Sequence, residues 1–376
     1  MRSYRLSIKA NMLMALALLF CTAAANPDSV RLEIRASPKA TLVTGTEAPS
    51  AAMDKLEAAE PLNPPLVTPS LTDVYLTSPA GTYRLDANGF WWDESLSHRL
   101  KLPRSLSRRL SKQSRAMRKH HYGELMAWED AKRIIPRKST FAITDVETGL
   151  TFRVQNRAGS DHADVQPLTK EDTRIMSLIY DQGWSWRRKA IIVTAGDRRI
   201  AASMNGKPHG GDGIPGNGFS GHFCVHFLGS STHRSEHPDP IHQLMVHKAA
   251  GKLRSYLDES SPDRLAQSLI IALDHRETET IRMIAEGMDA RRFALLAAQA
   301  QKLSAIRLSD PSSTEPEASS GLLAYEMDRR VSAIYLRGGR RNDKLHMIFT
   351  RPSLEAPWRL LEVNPWTRDE VEADPG

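Results

Sequence analysis

The spacing of apolar residues changes character along this chain. Leu102, Leu106 and Leu110 recur every four residues, with Met117 on roughly the same side. That period predicts an amphipathic helix starting near Pro103. From Ile134 onward the pattern is that of strands. Phe141–Val146, the turn Glu147-Thr148-Gly149 and Leu150–Val154 read as a β-hairpin. Thr169 or Asp172 can cap a helix running to about Asp181. Lys189–Val193 and Arg199–Met204 are further strands around the turn Ala195-Gly196-Asp197. A glycine-rich stretch, Asn205–Gly221, leads into an apolar segment ending at Leu228, and residues 241–256 read as a helix. Helical segments over about 264–285 and 289–303 then precede a Ser/Pro/Glu linker at 309–320. Strand-like runs follow at Leu322–Glu326, Val331–Leu336, Leu345–Thr350 and Trp358–Val363.

These patterns predict an α+β protein with a mostly β catalytic domain over 137–256 and a separate small α+β domain over 257–376. Residues 26–95 read as a flexible Pro/Ala-rich spacer with a short folded flap over 73–93, made of the strand-like Val74-Tyr75-Leu76 and then Phe90-Trp91-Trp92. Residues 96–136 form a basic amphipathic helical segment, with nine Lys/Arg and no acid between 98 and 121. Such a face is either solvated while the helix packs on its neighbour, or a surface for anionic wall polymer or membrane lipid.

Residues 1–25 resemble an export signal. Arg2, Arg5 and Lys9 precede the apolar run Met12–Cys21, and Ala23-Ala24-Ala25 offers a cleavage site. The expected location is therefore periplasmic or secreted. Losing the leader lowers the net charge from +7 to +4. Mild basicity in an exported chain argues against a nucleic-acid partner and suits an anionic surface.

The leader carries Cys21, so the mature chain keeps one cysteine, Cys224, and no intramolecular disulfide partner for it. Cys224 sits in Ser220-Gly221-His222-Phe223-Cys224-Val225-His226. Eight of the thirteen histidines fall between His162 and His247. Flanking imidazoles can lower a thiol pKa and take its proton, although a buried, inert cysteine in a strand is an equally ordinary outcome. His209 lies fifteen positions before Cys224 across the glycine-rich loop, which allows its imidazole to reach the thiol. Backbone amides near Gly221 could serve as an oxyanion hole.

Pro208-His209-Gly210, followed by Ser220, His222, Cys224 and Val225, resembles the catalytic region of the YkuD-type L,D-transpeptidases. Their pattern is a His and a small residue, then Ser/Thr-His-Gly-Cys, an apolar residue and Arg or Asn. Here Gly221 is inserted between Ser220 and His222, Phe223 stands before the cysteine, and His226 takes the place of Arg or Asn. The resemblance implies a cysteine acyltransferase acting on peptidoglycan stem peptides. Cys224 would be the nucleophile and His209 the base, with His222 and Ser220 orienting the site. Gly210, Gly221 and His226 would contact substrate, and no cofactor would be needed. The blocks His162-Ala163-Asp164-Val165, Gly221–Cys224 and His242-Gln243 are also similar to a group of exported bacterial proteins.

Two rivals remain open on the residues alone. His162, Asp164, His209, His222, Cys224 and His226 are all possible zinc ligands for a cell-wall peptidase or amidase, with His162, Asp164, His222 and His226 the first set, since His-x-Asp and His-x-Cys-x-His put alternate side chains on one face of a strand. The third reading is a non-enzymatic wall-binding module with structural histidines.

Overall fold

The computed structural model describes residues 29–57, 65–211, 213–232, 235–309 and 319–367. The expected leader and most of the expected linker at 309–320 lie outside these residues. The chain is α+β with sheets dominant, as its patterns predict.

The first sheet has six antiparallel strands, β1 (Arg31–Ile34), β2 (Thr44–Glu47), β3 (Leu71–Ser78), β4 (Gly81–Asp86), β5 (Phe90–Asp93) and β6 (Arg99–Lys101), in the order β2-β1-β3-β4-β5-β6. This corrects the reading of residues 26–95 as a flexible spacer. Leu32 and Ile34 are fully buried, and β1 is an inner strand of the sheet. The Phe90-Trp91-Trp92 flap is β5 of the same sheet. A short helix α1 (Met53–Glu57) follows β2. The basic segment forms α2 (Arg104–His121) with Pro103 at its N-cap. Leu106 and Leu110 are buried against β1 and β2, while Arg104, Arg108, Arg109, Lys112, Arg115 and Lys119 face solvent. The short helix α3 (Trp128–Ile134) leads into the second sheet.

That sheet closes on itself. Strands β7 (Thr140–Asp145), β8 (Thr151–Ala158), β9 (Ala163–Pro167), β10 (Lys189–Ala195), β11 (Arg198–Met204) and β12 (Phe223–His226) form an antiparallel barrel in the order β10-β11-β12-β9-β8-β7. Closure removes exposed strand edges. Ile143, Phe152, Val165, Ile191, Ala202, Phe223 and Val225 fill its interior. Helix α4 (Lys170–Ile179) crosses between β9 and β10, started by a capping box in which Thr169 and Asp172 satisfy each other's backbone amides. A two-stranded ribbon, β13 (Ser231–Thr232) and β14 (Ser235–Pro238), leads to α5 (Pro240–Ala249), which lies on β10, β11 and β12.

The expected helix 241–256 is two helices, α5 and α6 (Leu253–Asp258). Gly251 separates them at φ +63°, and a Cβ there would stand 2.5 Å from the Tyr122 ring, so only glycine fits. The segment expected at 264–285 is likewise divided into α7 (Pro262–His275) and α8 (Thr278–Ile284) by Arg276 at φ 59°. Helix α9 (Ala290–Lys302) runs into the last sheet, β15 (Leu303–Leu308), β16 (Ala324–Tyr335), β17 (Gly339–Thr350) and β18 (Arg359–Asn364). Two of the expected strands merge into the single long β16.

The C-terminal elements do not have a core of their own, which corrects the expected separate domain. One apolar cluster runs from Leu32 and Leu76 through Leu244, Leu269 and Ile281 to Leu345 and Phe349. Buried ion pairs cross the same region. Arg84 of β4 meets Glu279 of α8 at 2.5 Å, and Lys248 of α5 bridges Glu147 of the β7–β8 turn and Glu277. Among the described residues no helix is long and apolar enough to cross a membrane.

A candidate thiol site on the barrel wall

Strand alternation builds the site. On β12, Phe223 and Val225 point into the barrel, so Cys224 and His226 point out of it. On β9, Ala163 and Val165 point in, so Asp164 points out. The register sets Cys224 directly opposite Asp164 and Val225 opposite Ala163. Directly opposed residues on one face are in side-chain contact. The same outer face carries His162 beside His226, with ring centroids 4.3 Å apart and nearly parallel. His242 of α5 covers the other side of His226 at 3.7 Å and is fixed through Nδ1 to Ser203 Oγ at 2.9 Å. Three buried imidazoles are therefore stacked behind the thiol.

His209 arrives from the glycine-rich loop. Its backbone pairs with that of His222 as a two-residue bridge. His209 N–H donates to His222 O at 3.0 Å, and His222 N–H donates to His209 O at 2.7 Å. Two glycines permit the close approach. At Gly210 (φ +71°) a Cβ would lie 2.2 Å from His222 Cε1, and at Gly221 (φ +90°) it would lie 2.4 Å from His209 O. The rest of the loop is pinned from beneath. Asn217 donates to Pro167 O at 2.8 Å, and Gln166 Oε1 accepts from Ile214 N–H at 2.9 Å.

The outcome is a thiol–imidazole contact. His209 Nε2 stands 3.2 Å from Cys224 Sγ, and its Nδ1 meets Lys207 O at 2.9 Å. A carbonyl accepts only, so Nδ1 carries a proton and Nε2 is left to exchange one with sulfur. Asp164 Oδ1 lies 3.8 Å from Sγ, 3.2 Å from His162 Nε2 and 3.6 Å from His222 Nε2. His162 Nδ1 donates to Ser231 O at 3.0 Å. Cys224 itself is only 6% exposed.

The electrostatics favour a thiolate–imidazolium arrangement. Burial pushes the Cys224 thiol up, but hydrogen bonds from His162 and then His209 outweigh it, and the thiol lies below its ordinary value. Burial works against charge on His162, yet Asp164 and then Cys224 hold it protonated and raise its pKa to about 10. His209 is raised chiefly by its bond to Cys224. Burial drives His226 and His242 well below the ordinary imidazole range, so both are neutral near pH 7. No protein-family model matches this chain, and neither does any curated protein or solved structure.

Of the residues expected from sequence, Cys224, His209 and His222 come together. Ser220 does not join them. It is exposed, and among the described residues its side chain shows no contact with the thiol or the imidazoles. The His222 amide, a candidate oxyanion donor, is already committed to His209 O. His226 faces the buried stack with 2% exposure, which removes it from direct substrate contact. For a metal, the donor atoms of His162, Cys224 and His226 all lie within 4.8 Å of one another, and His226 Nδ1 is buried without a hydrogen-bond partner. This set fits zinc with modest contraction. Of the first set expected from sequence it keeps His162 and His226; Cys224, also a possible ligand, takes part, and Asp164 and His222 flank it. Asp164 and His162 as partners of the thiol, and Trp186 packed 5.2 Å from the His209 ring, were not anticipated. The His-x-Asp alternation carried a signal for the first two. Nothing in the local pattern marked the third.

Proposed function

We infer that this chain is an exported cysteine acyltransferase that works on amide bonds of cell-wall stem peptides. The observation that carries the reading is the 3.2 Å contact between Cys224 Sγ and His209 Nε2, inside a site that favours thiolate. The resemblance of Pro208–Gly210 and Ser220–Val225 to the L,D-transpeptidase motif supplies the substrate class. The solvent face of α2 adds a surface suited to anionic polymer or lipid.

In this reading the Cys224 thiolate attacks the donor carbonyl carbon. The C–N bond breaks, and the departing amine leaves with the proton held on His209 Nε2. A thioester remains on Cys224. An acceptor amine, or water, then attacks that thioester and gives its proton to His209, and the C–S bond breaks to restore the thiolate. His162, held protonated against Asp164, stays cationic throughout and steadies the sulfur charge. Zinc bound by His162, Cys224 and His226 would occupy the sulfur lone pair and so oppose this chemistry. The direct test is acyl-enzyme trapping. Incubation with wall peptides should add donor mass to the tryptic peptide carrying Cys224. Turnover without such an adduct, and undiminished in Cys224→Ala, contradicts the reading.

A further inference from the structure

We propose that a second cleft, reached from the dyad through Trp186, binds an acidic peptide chain as the part of the acyl donor that extends away from the reacting bond. Its place in the reaction rests on the acyl-transfer reading above, while its ligand class rests on the cleft's own chemistry. The cleft holds about 790 Å³ between the segment 184–188, helix α7 and strand β15. That size suits a small-molecule or short-peptide ligand. Trp186 lines the cleft and packs 5.2 Å from the His209 ring, so one side chain touches both sites. Trp184 is set edge-on against Phe219 at 5.3 Å. The two indoles nevertheless remain 36% and 49% exposed. Large exposed aromatics on a fixed segment mark a binding surface. The segment is fixed. Arg188 donates to Asp239 at 2.8 Å and to Trp186 O at 2.8 Å, and Gly206 N–H donates to Ser185 O at 2.9 Å.

Charge sets the ligand's sign. Arg187, Arg188 and Arg307 line the cleft against Asp239 and Asp274. Arg188 is taken by Asp239, and Asp274 Oδ1 accepts the Ile306 amide at 2.9 Å. Arg187 and Arg307 make no ion pair among the described residues. His275 supplies a further unmet group. Its side chain is 4% exposed and neither ring nitrogen has a hydrogen-bond partner, since Asp274 Oδ2 stands 3.6 Å from Nδ1. A buried polar group in that state calls for a partner. Backbone geometry favours a peptide over a compact anion. Among the described residues, strand β15 is the outer strand of its sheet and pairs only with β16. Ile306 turns its outward amide to the Asp274 side chain, and the next outward amide, that of Leu308, has no strand beside it among the described residues. An extended peptide can add there.

The test uses the full chain, as wild type and as Cys224→Ala. The probe is an acetylated, amidated pentapeptide of alternating alanine and glutamate, and the control replaces glutamate by glutamine. Binding is read from tryptophan fluorescence. The acidic peptide should bind about tenfold tighter than the control, with affinity falling as salt rises. Arg187→Glu and Arg307→Glu should each weaken it about tenfold, and Arg187→Lys should retain most of the affinity. Arg187→Glu should also raise KM for an acidic donor more than it lowers kcat. Equal binding of the two peptides, or an affinity indifferent to both charge reversals, overturns the cleft. Charge-dependent binding by Cys224→Ala with no turnover by wild type would keep the cleft and remove the acyl-transfer reading. Cys224-dependent turnover with KM indifferent to both reversals would do the opposite.

Discussion

Asp164 lies directly across the β9–β12 pairing from Cys224, and its Oδ1 is 3.2 Å from His162 Nε2. A carboxylate beside a thiolate is unfavourable alone. It is tolerated because His162 stands against both negative groups and remains protonated up to a pH of about 10. Asp164→Asn should therefore lower the His162 pKa, raise the thiol pKa and slow Cys224 alkylation near neutrality. His162→Ala should likewise raise the thiol pKa and slow alkylation, and should cost about 3–5 kcal/mol, because it removes the nearer imidazole partner of a buried carboxylate. Chemical denaturation and iodoacetamide kinetics measure the two effects. A thiol pKa unchanged by both substitutions would remove His162 and Asp164 from the site's electrostatics.

The raised His162 pKa also makes stability depend on pH. Its contribution is fully present below the ordinary histidine value of 6.5 and declines as pH rises through about 10. Denaturation midpoints should fall across that alkaline window, and His162→Gln should flatten the fall. An equal slope in the variant would place the effect elsewhere.

Gly210 and Gly221 hold the His209–His222 bridge in left-handed backbone that a Cβ would both strain and crowd. Gly221→Ala should displace His209 from the thiol and lower turnover about 10²-fold or more, the scale of losing a positioned base. The barrel should keep its far-UV spectrum, since its core lies on the other face of β12. Full activity in Gly221→Ala would mean that the bridge does not set the dyad.

Zinc should inhibit. Micromolar Zn²⁺ should abolish turnover and protect Cys224 from alkylation, and EDTA should restore both. His226→Ala should weaken inhibition while leaving the His209–Cys224 contact in place. Activity that instead requires added zinc and disappears with EDTA would support the metallopeptidase alternative.

Helix α2 cannot be removed to test its charge, because Leu106 and Leu110 are part of the main apolar core. Reversing Arg108, Arg109, Lys112 and Arg115 to glutamate leaves that core intact. The variant should lose salt-sensitive sedimentation with anionic vesicles or sacculi. Unchanged sedimentation would leave the exposed face as solvated surface only.

The dyad was legible in the sequence because its determinants are local. A lone cysteine, a histidine fifteen positions away and glycines between them restrict where the imidazole can go. The His162–Asp164 partnership was not, since sixty residues separate Asp164 from Cys224 and only strand register joins them. The hairpin of β7 and β8 and the capped α4 followed from alternation and from Thr169 with Asp172. Strands β1 and β2 were missed because short strands among Pro and Ala resemble a linker. The break after α7 was invisible, since Arg276 adopts left-handed backbone without a glycine to announce it. The expected independent C-terminal domain failed for a related reason. Burial of Leu345 and Phe349 against helices shared with β1 and β3 is a tertiary fact with no local signature.

Activation of Cys224 by His209 is read from the pH dependence of Cys224 alkylation. Iodoacetamide rates should be followed by mass spectrometry in wild type and His209→Ala. The wild-type profile should titrate below the ordinary thiol value of 9.0, because His162 and His209 stabilise the thiolate. Loss of His209 should shift the profile upward, with turnover falling about 10²–10⁴-fold. A wild-type profile at the ordinary thiol value, unmoved by His209→Ala, would mean that His209 does not activate Cys224.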